Sequence, residues 1–109
     1  MLSYDFNPDE RVLTCYFTGR LDTVLSNQIA AELESKFESL TEKTEKVTLL
    51  DFSLIFDVKE VNFISSSFIR LCVAGKKRVK EGSFSIHNSD PFIKKTFKIA
   101  GLDEILNVI

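Results

Sequence analysis

The chain has no tryptophan, a single histidine and only two cysteines in 109 residues, and each shortage removes a class of explanation. Cys15 and Cys72 both lie inside apolar runs, where a thiol behaves as a small hydrophobe. Their spacing builds neither a disulfide framework nor a metal site. His87 stands alone at the end of an expected strand, so paired imidazole ligands are excluded. No HExxH, CxxC or GxSxG pattern occurs. No metal, no cofactor and no catalytic residue is expected, and the chain reads as something other than an enzyme. Basic charge is also short: 14 Lys and Arg stand against 16 Asp and Glu, a net −2, so no global basic field draws nucleic acid. GKKRVKEG, residues 75–82, lacks the GxxxxGK[ST] spacing of a phosphate loop and reads as a helix end. Lys94, Lys95 and Lys98 read as a solvated helix face. Acidic residues surround both clusters and no aromatic platform interleaves them, so no nucleic-acid partner is expected. The opening MLSYDFNPDER has neither the basic n-region nor the apolar h-region of a signal peptide. No apolar run approaches the roughly 18 residues of a membrane span. The expectation is a cytoplasmic protein without membrane insertion.

What is present is apolar and patterned. An apolar fraction of 44% with ten phenylalanines supports one packed domain over residues 1–109 without staples. Leu2, Tyr4 and Phe6 alternate before the turn cluster Asn7-Pro8-Asp9-Glu10. Leu13, Cys15 and Phe17 then share one face of Val12–Thr18, which Gly19 is expected to close. Two strands joined as a hairpin follow from this. Asp22 or Thr23 caps a helix whose apolar stripe is Leu25, Ile29, Leu33, Phe37 and Leu40. Ser26, Gln28, Glu32, Glu34, Lys36 and Glu38 are assigned to its polar side. Residues 41–46 read as a loop. VTLLDFSLIFDV, residues 47–58, reads as a strand buried on both faces, with Asp51 near its exposed beginning. Ser65 then caps a second helix, with Ile64 and Ile69 at the positions of a hydrophobic staple and with Gly75 and the basic run Lys76 to Lys80 ending it. Ser83–His87 is a short strand. Ser89-Asp90-Pro91 opens a third helix whose buried face is Phe92, Ile93, Thr96, Phe97 and Ala100. Gly101 stops it, and Leu106–Ile109 is a final short strand or apolar tail. The order β-β-α-β-α-β-α predicts an α/β fold: a mixed sheet of about four to five strands, with about three to four helices packed largely on one face.

VNFISSSFIRL, residues 61–71, places three consecutive serines at the start of the second helix. A helix N-terminus offers unpaired N–H groups and a partial positive charge, so a phosphate on a first-turn serine would meet donors and a favourable field. Serines are equally the residues that merely start a helix. Within the run, Ser65 turns its oxygen back onto the helix. Ser66 is then free to point outward, and Ser67 lies a further 100° or so around. Phe68 is expected to be partly exposed as a partner anchor, because Ile69, Cys72 and Val73 already supply an inward face.

FDVKEVNFISSSFIRLCVAG, residues 56–75, resembles the signature of STAS domains of the anti-sigma factor antagonist (anti-anti-sigma factor) type. In that signature an apolar strand ends in Asp-Leu-Ser and is followed by Val-x-Phe-Ile-Asp-Ser-Ser-Gly-Leu and an apolar helix. Asp57 falls on the strand-end Asp, and Ser66 and Ser67 on the Ser-Ser pair. GRLD, residues 19–22, is similar to the family's Gly-x-Leu-Asp, and FKIAGLDEIL to its closing helix. Ser65 and Phe68 replace the family's Asp and Gly, and Arg70 stands where a small residue is common. The resemblance implies a phosphoprotein of bacterial signalling and transcription regulation. Its partner is a GHKL-type serine kinase that is also the anti-sigma factor. The kinase phosphorylates Ser66, with Ser67 or Ser65 as the fallback, and the phosphate switches binding off. Asp22, Asp57, Ser65, Ser66, Ser67, Phe68 and Arg70 are the implied partner-binding residues, and a homodimer is compatible with this reading. The alternative is a STAS domain that is not phosphorylated and serves as a structural or interaction subunit of a signalling or lipid-transport assembly. A third class, a small-molecule or nucleotide-binding module, rests on the helix N-terminus alone.

Overall fold

The computed structural model describes residues 2–40 and 49–109. Its strands are β1 (Leu2–Asn7), β2 (Val12–Leu21), β3 (Ser53–Ile64) and β4 (Phe84–His87), and its helices are α1 (Thr23–Leu40), α2 (Ser66–Lys77) and α3 (Pro91–Ile99). The predicted element order holds. The sheet is mixed, in the order β1-β2-β3-β4. β1 runs antiparallel to β2, while β2 with β3 and β3 with β4 are parallel. Val108 adds one parallel bridge to Ile86 at the free edge of β4, which is all that forms of the expected final strand.

Register aligns the core in rows. Phe6, Leu13, Leu54 and Phe84 are successive neighbours across the four strands, and so are Tyr4, Cys15, Phe56 and Ile86. Period-2 alternation turns both rows to the same face, and every β2, β3 and β4 member of them is buried. Onto this face α1 brings Ile29, Leu33 and Phe37, and α2 brings Phe68, Cys72 and Gly75. Arg78, just past α2, pairs with Glu34 of α1 and lies over the Phe37 ring at 5.2 Å. Asn7 Oδ1 accepts the N–H groups of Asp9 and Glu10, both at 3.0 Å, which fixes the β1–β2 turn. α3 ends with Leu102 N–H bonded to Phe97 O and Gly101 N–H to Lys98 O, the paired bonds of a Schellman stop.

Several boundaries differ from the sequence reading, each for a physical reason. The buried strand begins at Ser53, and Val47, Thr48 and the 41–46 loop lie outside the described residues. Leu50 and Phe52 are buried without being strand. Leu50 N–H bonds Arg78 O, and Phe52 packs its ring against Phe6 and Phe37. Apolar character alone therefore overstated the strand. β3 continues instead to Ile64, because β2 is ten residues long and supplies a partner as far as Leu21. Gly19 does not close β2. It sits inside the strand at φ 92°, where the register shifts, and only glycine adopts that conformation in a bulge without strain. Gly75 lies inside α2 rather than at its end. A Cβ there would sit 3.2 Å from Phe56 Cζ and 3.3 Å from Phe84 Cε1, so its bareness is what lets the helix approach the sheet. On α3 the buried residues are Ile93 and Phe97, while Phe92 and Ala100 of the expected face are exposed.

Burial pushes the Cys15 thiol up to about 12 and raises that of Cys72, and burial also lifts the Tyr4 phenol to about 12. An unfolded thiol ionises near 9, so on raising the pH the unfolded chain loses its protons first. The contribution of the two thiols is complete below pH 9 and declines as pH rises towards 12, by about 1.4 kcal/mol per pH unit for each thiol. Urea midpoints at pH 8 and pH 10.5 should show this fall, and Cys15→Val should make it shallower. Equal slopes in the variant and the parent would contradict the buried-thiol origin.

Candidate functional site

β2 and β3 are parallel, so both deliver their carboxyl ends to one edge of the molecule, where Leu21 stands beside Ile64. Each strand is followed at once by a helix. α1 starts at Thr23 and α2 at Ser66, so two helix N-termini with their free N–H groups lie side by side. Polar side chains stitch the two starts together. Asp22 caps α1, its Oδ1 accepting Leu25 N–H at 2.9 Å. Ser65 caps α2 in an extended conformation (φ −95°, ψ 167°), its Oγ accepting Phe68 N–H at 3.2 Å. The Ser65 N–H donates back to Leu21 O at 2.9 Å. Between them lies Ser26, 2% exposed. Its hydroxyl is 3.4 Å from Leu21 O and 3.5 Å from Ser65 Oγ.

The three serines divide into three environments. Ser65 is half-buried and its oxygen is committed to the cap. Ser67 is 8% exposed and its Oγ accepts a hydrogen bond from Arg70 Nη2 at 3.0 Å. Ser66, the first helical residue, is exposed, and among the described residues its hydroxyl has no hydrogen-bond partner. Arg70 itself is exposed one turn on. At the strand ends Arg20 places its guanidinium over the Phe63 ring at 3.9 Å, within the distance of a cation–π contact.

Two predicted site residues stand elsewhere. Phe68 was expected to be partly exposed and is 0% exposed. Its ring meets Phe17 edge-on at 5.2 Å and Phe56 at 6.3 Å. The inward face of α2 runs through Phe68, Cys72 and Gly75 at spacings of four and three, and Ile69 and Val73 are only half-buried beside it. Asp57 is in the body of β3 opposite His87, and its carboxylate accepts from Lys59 N–H at 3.0 Å and Asn88 Nδ2 at 2.8 Å. It stands eight residues before Ser65, about 26 Å along a strand rising about 3.3 Å per residue.

Sequence reasoning missed Ser26, which it placed on the polar side of α1. The signal was there: Ser26, Ile29, Leu33 and Phe37 are spaced three, four and four, one helical stripe, and all four are buried. A small polar residue in line with an apolar stripe marks a hydrogen bond in the core. The Arg20–Phe63 contact had no sequence signal, because it depends on the register of two strands distant in the chain. Among the described residues no group of His, Cys, Asp and Glu could hold a metal ion, and no helix is long and apolar enough to cross a membrane.

Truncation should separate the cap from the core. Ser65→Ala is expected to lower stability by about 1 kcal/mol, read from the urea midpoint; no change would mean that the cap bond contributes nothing. Phe68→Ala is expected to cost about 3–5 kcal/mol, the range for a buried ring. A loss below about 1 kcal/mol would contradict its place in the aromatic cluster.

With this geometry in view, comparison with known proteins gives a consistent answer. The family model described as the STAS domain matches residues 4–109. No curated protein sequence matches significantly. Among solved structures, the anti-sigma factor antagonist SpoIIAA in its unphosphorylated form is similar at a TM-score of 0.69 and 17% identity, over 100% of this chain and 86% of that one. An anti-sigma-factor antagonist (STAS) domain protein from Planctomyces limnophilus is similar at a TM-score of 0.73 and 24% identity, over 99% of this chain and 87% of that one. A protein with a SpoIIAA-like fold from Shewanella loihica is similar at a TM-score of 0.60 and 14% identity, over 97% and 79%. At these identities the structural likeness is one of fold.

Proposed function

The chain therefore belongs to the STAS domain family, and from that premise we propose that it is an anti-sigma factor antagonist whose partner binding is controlled by phosphorylation of Ser66. The partner in this reading is an anti-sigma factor that is also a GHKL-type serine kinase. The unphosphorylated domain captures the kinase and thereby frees a sigma factor, and phosphate on Ser66 ends the capture. The domain itself carries out no catalysis and acts in the cytoplasm.

The observation that carries the reading is the division of labour within one helical turn. Ser65 and Ser67 have bonded hydroxyls, and Ser66 alone presents an unbonded one to solvent. A kinase needs an accessible hydroxyl, and a switch needs a modification that leaves the fold intact. A phosphate at the first helical position meets the favourable end of the helix dipole, so it does not unfold its own helix. It adds about −1.5 to −2 charges to a surface that otherwise presents a neutral hydroxyl, and a partner fitted to that hydroxyl must then desolvate or repel the new charge. The docking surface in this reading is the first turn of α2 with Ser66 and Arg70, together with the neighbouring start of α1 at Asp22. Phe68 supports that turn from beneath, and Asp57, bonded to Asn88, lies outside this surface.

The test is incubation with a GHKL-type anti-sigma kinase and ATP, followed by mass-spectrometric mapping. One phosphate on Ser66 is expected. Ser66→Asp should fold normally and lose at least tenfold in affinity for the kinase, and Ser66→Ala should bind whether or not ATP is present. Phosphate on Ser65 or Ser67 would break the residue assignment. A stable complex with no phosphate on any serine would identify a structural STAS subunit, in which the serines serve only to start the helix.

A further inference from the structure

Beyond the serine edge, one surface of the molecule combines exposed apolar side chains with a cationic stripe. Seven large apolar side chains are exposed among the described residues, and four of them, Phe92, Ile99, Ile105 and Ile109, fall in the last eighteen residues. In the same region Pro91, Lys94, Lys95 and Lys98 lie on one stripe of α3, at the spacings three, one and three that place them on neighbouring turns. Facing them are Asp103 and Val108, and together they line a groove of about 380 Å3. The volume falls within the range of small-molecule sites, about 300–1,000 Å3.

The chemistry of the groove is specific. Its walls are the proline ring, the valine and the aliphatic stems of three lysines, and long cationic side chains lay such stems along an apolar surface while the charge stays at the rim. Its charged lining is three lysines against the one Asp103 carboxylate. None of the three lysines forms an ion pair among the described residues. The whole chain carries a net −2, and the groove gathers three of its 14 Lys and Arg on one stripe of α3. The crevice between α1 and α2 is smaller, about 130 Å3, and the Arg78–Glu34 pair belongs to its lining.

We propose that the groove between α3 and the 103–108 segment binds an amphiphilic anion, a single short aliphatic chain bearing a carboxylate head. The head meets Lys94, Lys95 and Lys98, and the chain lies along Pro91 and Val108. The concave shape selects a single free amphiphile rather than a flat bilayer, which would rest on Phe92 and Ile99 and leave the groove unfilled. This inference is independent of the phosphorylation of Ser66.

The test is a titration of the full chain with sodium decanoate below its micelle concentration, followed by amide chemical shifts. Decylamine and decyl maltoside serve as cationic and neutral controls. Saturable one-to-one shifts at Lys94, Lys98 and Val108 are expected with decanoate and not with either control. Lys94→Glu combined with Lys98→Glu lies on an exposed face, should fold normally by circular dichroism, and should weaken decanoate binding at least tenfold. The absence of saturable shifts would overturn the proposal. So would shifts centred on another surface, undiminished binding by the charge-reversed variant, or equal binding of decyl maltoside. Binding to phosphatidylserine vesicles without binding of free decanoate would overturn it in favour of a membrane-contact surface.

Discussion

The parallel pairing of β2 with β3 is the constraint on which the rest of the molecule depends. Parallel strands end at the same edge, and here each turns directly into a helix, so the starts of α1 and α2 are neighbours by construction. The bond from Ser65 N–H to Leu21 O continues that pairing one residue past the strand and into the helix cap. The polar edge is thereby tied to the apolar rows beneath it. The rings of Phe17 and Phe56, on the paired strands, are 4.9 Å apart and form the floor on which Phe68 of the first α2 turn rests. A displacement of that turn would break cap bonds and ring contacts together, which is why a surface only a few residues wide is held in one geometry.

This arrangement also explains how a cluster of small polar groups sits so near the core. Buried hydroxyls without partners are costly. Ser26 avoids that cost through Leu21 O and Ser65 Oγ, and Ser67 through Arg70. Among the serines of this edge the hydrogen bonds are therefore satisfied except for one hydroxyl, on Ser66.

Much of this was legible in the sequence, and the boundaries of legibility are physical. The element order, the caps at Asp22, Ser65 and Asp90 and the stop at Gly101 follow from local side-chain chemistry, and local chemistry is what a sequence displays. The family resemblance in residues 56–75 agrees with the family model over residues 4–109. Non-local facts were read less well. Whether Leu50 and Phe52 form a strand or pack as a loop depends on Arg78 and Phe37. Whether Phe68 faces out or in depends on the space above Phe17 and Phe56, and Phe92 is outside because Ile93 and Phe97 already fill the α3 contact. An apolar residue announces that it prefers burial but not which of several apolar residues wins the site.

The bare Cα of Gly75 has a consequence for how the molecule can vary. α2 is held at its first turn by hydrogen bonds and at its far half by close approach to Phe56, Phe84 and Leu54. The first turn adds the Phe68 ring contacts to its cap bonds, and the close approach at Gly75 lies about two turns further on. A Cβ at position 75 would press on the Phe56 and Phe84 rings at 3.2 and 3.3 Å, and the contact would have to give by a few tenths of an ångström. Residue 75 also lines the α1–α2 crevice, so substitution there bears first on that packing, about two turns from the Ser66 hydroxyl.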